Sequence, residues 1–145
     1  MKYLDALIIG AGFSGLYQLH CLRDKLKLNT LVVEEGKDIG GTWYWNTYPG
    51  ARCDSESFTY GFTFSEKIFK NWTWKERYPK QNVILKYLKY FSNELKLKKN
   101  IVFNEKVISA KYIEKNNLWK VQTNNKKKYY AKYLICAVGS LSSIN

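Results

Sequence analysis

The sequence predicts an α/β fold, a parallel sheet flanked by helices and carrying a small antiparallel β-meander. Three observations predict it. The strand candidates at residues 4–9 and 30–33 are apolar almost throughout, Asp5 and Thr30 aside, rather than alternating, as in strands buried on both faces of a parallel sheet. Between them, residues 16–26 set leucines at 16, 19, 22 and 26 on one helical face. Towards the end, 107–113 and 118–123 read as strands around an Asn116-Asn117 turn, and an apolar run at 133–138 returns to the sheet.

The first strand runs straight into Gly10-Ala11-Gly12-Phe13-Ser14-Gly15, which opens the helix. That context gives the glycines a physical meaning. Gly10 permits a tight turn, Gly12 lets the backbone approach a pyrophosphate, and Gly15 lets helix and strand pack closely. The helix N-terminus then turns free N–H groups and its positive dipole end towards the phosphates. The second strand ends in Glu34-Glu35. Glu34, directly at the strand end, is the preferred acceptor for the ribose hydroxyls, and an acid there disfavours a 2′-phosphate. The motif thus predicts a Rossmann-like dinucleotide site.

From 78 to 97 the pattern is helical, with Ile84, Tyr87, Leu88, Phe91 and Leu95 on one stripe and Pro79 suited to the first turn. A short strand follows at 101–103. In 118–123, Trp119, Val121 and Thr123 share a face, and Asn124-Asn125 turns the chain towards Tyr129-Tyr130. The last strand, 133–138, re-enters the parallel sheet near the first.

The chain has 145 residues, one domain of ordinary size, and its 46% hydrophobic content is enough for a core. No run is long enough to span a membrane. Met1-Lys2 leads directly into the first strand without a secretory signal. Cys21, Cys53 and Cys136 have neither metal-ligand spacing nor an even count for disulfides, which points to a reduced, cytoplasmic setting. His20, inside the first helix, reads as structural. The net charge of +12 raises nucleic-acid binding, but the lysines are scattered and the only run is Lys126-Lys127-Lys128 in a hairpin. With three arginines among 24 basic residues, the charge reads as composition rather than a phosphate-binding face. No nucleic-acid or membrane partner is expected.

A second glycine-rich element follows, Gly40-Gly41-Thr42-Trp43-Tyr44-Trp45-Asn46, then Tyr48-Pro49-Gly50-Ala51-Arg52-Cys53-Asp54. Trp43 suits a loop wrapped around a flat ring, whereas Trp72, Trp74 and Trp119 read as packing residues. The stretch from Gly41 to Asp54 closely resembles the signature of Baeyer–Villiger monooxygenases, within the flavin-containing monooxygenase class. Phe64-Ser65-Glu66, Trp72-x-Trp74-x-Glu76-Arg77-Tyr78 and Gln81-x-x-Ile84-Leu85-x-Tyr87-Leu88 are similar to the same family. So are Val107-Ile108-Ser109-Ala110, Trp119-x-Val121-x-Thr123 and Ala137-Val138-Gly139-x-Leu141-Ser142.

The resemblance implies an enzyme that uses FAD, NADPH and O₂ to insert oxygen next to a ketone carbonyl of a small organic substrate. It implies that Gly10, Gly12, Phe13, Ser14 and Gly15 hold the FAD pyrophosphate and Glu34 the adenosine ribose. Gly41, Thr42 and Trp43 would lie along the flavin, with Asp54 and Tyr60 close to the isoalloxazine ring. Arg52, Cys53 and Asp54 would border the nicotinamide cofactor, Asp54 being the one catalytic candidate. Val107 would present its backbone to the adenine, and Gly139 would stand in the family's terminal alanine-threonine-glycine pattern, which here has Val138 at its centre. The family's second glycine-rich motif, the Phe-x-Gly-x-x-x-His fingerprint before it and its active-site arginine do not occur. The expectation is therefore an FAD-binding domain over 1–145, the N-terminal part of a longer two-dinucleotide flavoprotein truncated before its NADPH domain. The alternatives are a fragment of an N- or S-oxygenating flavin monooxygenase, or an inactive FAD-binding remnant.

Overall fold

The computed structural model describes residues 2–141. Met1 and the stretch from Ser142 to Asn145, including the serine that closes the last resembling motif, lie outside the described residues. Strands β1 (Lys2–Ile9), β2 (Thr30–Val33) and β3 (Ile101–Val102) run parallel. On the other side of β1 lies β6 (Lys128–Cys136), also parallel to it. Strands β4 (Val107–Ile113) and β5 (Leu118–Thr123) continue from β6 as an antiparallel meander, so one sheet reads β3-β2-β1-β6-β5-β4.

The uniform apolar character of β1 and β2 follows from two buried faces. Ile8 and Val32, partners in register, join Leu16, Leu19, Leu88 and Phe91 in one cluster. Their neighbours Leu7, Leu31 and Val33 point the other way, into a cluster with Val121, Tyr129 and Ala131 of the meander. Each such side chain contributes roughly 1.5–3 kcal/mol on burial. Helix α4 (Gln81–Glu94), the fourth in the chain, buries the predicted stripe of Ile84, Tyr87, Leu88 and Phe91.

Four local expectations are corrected. Helix α1 (Phe13–Leu19) passes into a π-helical segment, His20–Lys25. There the Leu26 N–H donates to the Cys21 carbonyl at 3.0 Å. The wider turn rotates Leu26 off the leucine stripe, and it is 63% exposed. Pro79 precedes α4 rather than filling its first turn, because its carbonyl accepts the Cys53 N–H at 3.1 Å and Lys80 is the N-cap. Tyr129-Tyr130 and the apolar run after them form the single strand β6, which ends at Cys136, since β1 keeps one constant register with it from Tyr129 to Cys136. Trp43, expected in a loop, lies with Trp45 in a one-turn helix, α2 (Thr42–Trp45). Trp43 therefore packs on the core while Trp45 is 56% exposed. Between α2 and α4, α3 (Glu66–Lys70) is capped by the Ser65 hydroxyl, which accepts the Ile68 N–H at 3.4 Å.

His20 is structural, as expected. Its Nδ1 lies 2.8 Å from Asp24, and its ring stacks on Phe64 at 4.7 Å. Arg23 grips the same carboxylate and reaches the Leu95 carbonyl at the end of α4, at 2.7 Å. Burial alone would push Asp24 up, but the hydrogen bonds and charges of Arg23 and His20 outweigh it and hold its carboxyl below the usual range. Asp38 is shifted the same way: burial opposes, and Lys98 and Lys89 prevail. A carboxyl depressed in the folded state stabilises the fold above its unfolded pKa and loses that contribution as pH falls through the folded value. Thermal stability should therefore drop as pH falls from about 5 to about 3. The Asp24→Asn, Asp38→Asn double variant should flatten that drop, and an unchanged slope by circular dichroism would rule these two acids out as its cause.

Candidate functional site

The two glycine-rich elements meet. At the end of β1, Gly10 adopts φ +98°, and a Cβ there would stand 2.5 Å from the Ala137 carbonyl oxygen just beyond β6. Five residues on, a Cβ on Gly15 would stand 1.9 Å from the Gly10 carbonyl oxygen. The loop is thus held against both strand ends by backbone contact that any side chain would break. Gly41 adopts φ +54°, and its Cβ would stand 3.0 Å from the Gly12 Cα. The Gly40 N–H donates to the Ala11 carbonyl at 3.0 Å, tying the second element to the first.

This cradle fits a pyrophosphate. Gly12 is the N-cap of α1 and offers no side-chain cap, and no acid stands in the first turn. The opening N–H groups, at Phe13, Ser14 and Gly15, precede the first intrahelical donor, Leu16, which bonds the Gly12 carbonyl at 3.0 Å. Unsatisfied donors and the positive end of the helix favour an anion at that point.

Glu34 lies at the end of β2, buried, and both of its carboxylate oxygens are engaged. Oε2 accepts the Ala11 N–H at 2.6 Å and Oε1 the Gly36 N–H at 2.7 Å. It is thus a structural tie of the glycine loop, a role the spacing argument did not reveal. Each oxygen keeps a second lone pair, so the capacity to accept ribose hydroxyls remains.

The aromatic wall joins the two elements. Tyr60 sits edge-on to Phe13 at 5.4 Å and to Trp43 at 5.7 Å. Burial pushes its hydroxyl up, and the Cys53 and Asp54 side chains add to the shift. The Gln81 side chain donates to the Trp43 carbonyl and locks α2 onto the start of α4. Cys53 is buried, its thiol donating to the Ser55 carbonyl at 3.0 Å, and burial raises it further from ionisation. Asp54 is exposed, 3.4 Å from the Ser55 hydroxyl. Arg52 is half-exposed, 3.8 Å from Glu76, and borders an open cavity of about 350 Å³ with Lys80 and Gln81.

The structure therefore brings Gly10, Gly12, Phe13, Ser14, Gly15, Glu34, Gly41, Thr42, Trp43 and Tyr60 into one region. Gly139, at φ +73°, follows the Ala137-Val138 segment that lies against Gly10. Val107 stands apart from the glycine loop, at the start of β4. Sequence reasoning missed the aromatic cluster beneath the wall, where the Phe62 ring lies tilted against Phe91 with centroids 4.1 Å apart and the Phe62 N–H donates to the Tyr87 hydroxyl at 2.6 Å. Its Tyr87 and Phe91 side was visible in the α4 stripe; the Phe62-x-Phe64 side was not read.

Residues 7–145 match the model of a family described as pyridine nucleotide-disulphide oxidoreductase. The chain belongs to this family. Within it, the chain is 43% identical over 141 residues to a Baeyer–Villiger monooxygenase of Pseudooceanicola batsensis, covering 97% of this chain and 26% of that protein. It is 40% identical over 142 residues to a phenazine N-monooxygenase of Lysobacter antibioticus, covering 98% of this chain and 26% of that one. A closed crystal structure of cyclohexanone monooxygenase superposes with a TM-score of 0.96 at 43% identity, over 100% of this chain and 27% of that chain. The resemblance read from the motifs is borne out, and the chain spans about a quarter of the length of these relatives. Among the described residues, no helix is long and apolar enough to cross a membrane.

Two glycine substitutions separate close approach from backbone strain. Gly15→Ala should cost on the order of 3 kcal/mol, because the new methyl meets the Gly10 carbonyl. Gly50→Ala, at φ +81° with nothing within 4 Å, should cost about 1–2 kcal/mol from its backbone alone. Urea unfolding of both variants measures the difference, and equal costs would refute the close-approach account.

Proposed function

We propose that this chain is the FAD-binding domain, residues 1–145, of an NADPH- and O₂-dependent flavoprotein monooxygenase that inserts oxygen next to a ketone carbonyl. The observation that carries the reading is the contact of Gly12 with Gly41. It sets an open helix N-terminus beside the wall of Phe13, Trp43 and Tyr60, so phosphates and a flat ring find adjoining surfaces. The 43% identity to a Baeyer–Villiger monooxygenase supports the choice of reaction.

FAD, when bound, supplies the chemistry of carrying electrons from NADPH to O₂ and an oxygen atom to the substrate. The residues of this chain bind and orient it. The N–H groups of Phe13, Ser14 and Gly15 bind the pyrophosphate, Glu34 accepts the ribose hydroxyls, and the Val107 backbone meets the adenine. Gly139, at φ +73°, turns the chain away after the Ala137-Val138 segment that lies against Gly10. Gly41, Thr42, Trp43 and Tyr60 flank the isoalloxazine and exclude water from one side of it. Arg52, Cys53 and Asp54 border the nicotinamide, and the exposed Asp54 carboxylate is the group able to hold a proton or a positive charge there. All three arginines are paired with an acid, Arg23 with Asp24, Arg77 with Glu56 and Arg52 with Glu76 at 3.8 Å. A cytoplasmic setting agrees with three free cysteines, and O₂ and a small carbonyl compound are the proposed partners.

The chain by itself should retain FAD yet convert no ketone. Purified protein that oxidises NADPH and yields an ester would overturn this. The reaction is tested by a chimera in which this chain replaces the corresponding first quarter of cyclohexanone monooxygenase. Lactone formation dependent on NADPH and O₂ is the expected outcome; a folded, FAD-loaded chimera without lactone would sink the reading. The 40% identity to a phenazine N-monooxygenase supports a second reading, oxygen transfer to nitrogen, which the corresponding chimera with that relative and its phenazine product would reveal.

A further inference from the structure

Glu105 is a buried carboxylate to which none of the roles above is assigned. It lies in the loop between β3 and β4, two residues before Val107, and is 2% exposed. Its Oε2 accepts the Tyr129 hydroxyl of β6 at 2.8 Å, and its Oε1 accepts the Lys127 ammonium from the hairpin before β6. Its own N–H donates to the Glu34 carbonyl at 3.0 Å, and the Asn104 N–H donates to the Gly36 carbonyl at 3.0 Å. The same hairpin closes on the loop from the other side. Asn124 donates its N–H to the Lys106 carbonyl at 2.9 Å, and its side-chain oxygen accepts the Lys106 N–H at 3.0 Å. Three segments that are distant in sequence thereby meet at this loop: its backbone N–H groups hold 34–36, and the Glu105 carboxylate holds Lys127 and Tyr129 on the other side.

Val107 sits where this tie meets an irregularity. The β4–β5 register shifts between Val107 and Ser109, so the ladder is broken beside Val107. Its partner across the strands is Thr123, whose buried hydroxyl has no hydrogen-bond partner. A bulge of this kind frees peptide groups for a ligand, but only a fixed backbone presents them in one place. An apolar side chain at 105 would avoid the cost of burying a charge; what the carboxylate adds is the geometry of two opposed anchors. Burial, and then the hydrogen bond and charge of Glu105, push the Tyr129 hydroxyl up to about 12, so it remains a donor at any physiological pH.

We propose that Glu105 is the positioning residue for the adenosine end of the dinucleotide, its bridge to Lys127 and Tyr129 fixing loop 104–107 beside Glu34 so that the Val107 backbone meets the adenine edge. The proposal rests on the FAD reading above. It places no catalytic burden on Glu105, which acts only through the loop it holds.

The test compares the full chain with Glu105→Ala, Glu105→Gln and Tyr129→Phe. FAD, AMP and FMN are titrated separately by calorimetry, and amide hydrogen exchange is followed without ligand. Losing one charged hydrogen-bond anchor should raise the dissociation constants of FAD and AMP about tenfold in Glu105→Ala. Glu105→Gln and Tyr129→Phe should show a smaller rise. FMN, which lacks adenosine, should bind each variant as it binds the parent, and Lys106 and Val107 should exchange faster in the variants. Unchanged FAD and AMP affinity would overturn the proposal, as would an equal loss for FMN, which marks a merely structural role. If the gentler variants alone fold, their ratio of AMP to FMN affinity decides. A parent chain that binds neither FAD nor AMP would instead overturn the FAD reading, and this inference with it.

Discussion

The structure depends on one close approach, the contact of Gly15 with the Gly10 carbonyl. A methyl group at position 15 would stand 1.9 Å from that oxygen, so the first turn of α1 can lie against the end of β1 only without a side chain. The same Gly10 abuts the Ala137 carbonyl beyond β6, and the Ala137 N–H returns a hydrogen bond to Ile9 at 2.9 Å. Two strand ends and a helix start therefore converge within a single peptide's reach. Everything near the cradle inherits its position from this convergence. Gly41 can press on Gly12, and Trp43 can reach Tyr60, only because the loop between β1 and α1 has no freedom to swell.

Charge is used sparingly and locally in a protein whose basic residues outnumber its acids, 24 to 12. Several acids serve as ties between segments far apart in sequence. Glu34 joins Ala11 to Gly36, Asp38 holds Lys89 and Lys98, and Asp24 holds His20 and an arginine that also reaches the end of α4. Glu105 extends the pattern to the meander. Exposed ion pairs such as Lys70 with Glu66 add little by comparison, since solvent screens them and the side chains lose entropy. The ties matter because their carboxylates are partly or wholly withdrawn from water and accept backbone or multiple donors.

Much of this architecture was legible in the sequence because hydrophobic period reports burial. The continuous runs of β1 and β2 and the stripe of α4 needed no further information, and the bounds of β4 and β5 followed from turn residues and alternation. Local exceptions were not legible. The π-helical turn after Leu19 leaves the residue types of a helix unchanged and alters only which of them face inward, so Leu26 looked buried. The α2 turn is too short for periodicity to register, and Gly41 opens it with a backbone angle that sequence spacing cannot express. At the candidate site, Gly10, Gly15 and Gly41 were legible because each answers a steric or backbone demand. The tie at Glu105 was not, because a lone glutamate in a loop carries no pattern until β6 brings Tyr129 to it.

The double employment of Glu34 bears on how such a site gains affinity. A free carboxylate that captures ribose hydroxyls loses rotamer entropy when it does so. Glu34 has already lost that freedom on folding, since two backbone N–H groups fix its oxygens. In the proposed role it meets the ribose pre-oriented, and the cost of ordering it is charged to folding rather than to binding. The same holds for the helix N-terminus, which the glycine contacts aim before any phosphate arrives. In that proposed role the cradle's rigidity would contribute to affinity, and loosening the Gly10–Gly15 contact should weaken ligand binding even with every ligand-contacting group in place.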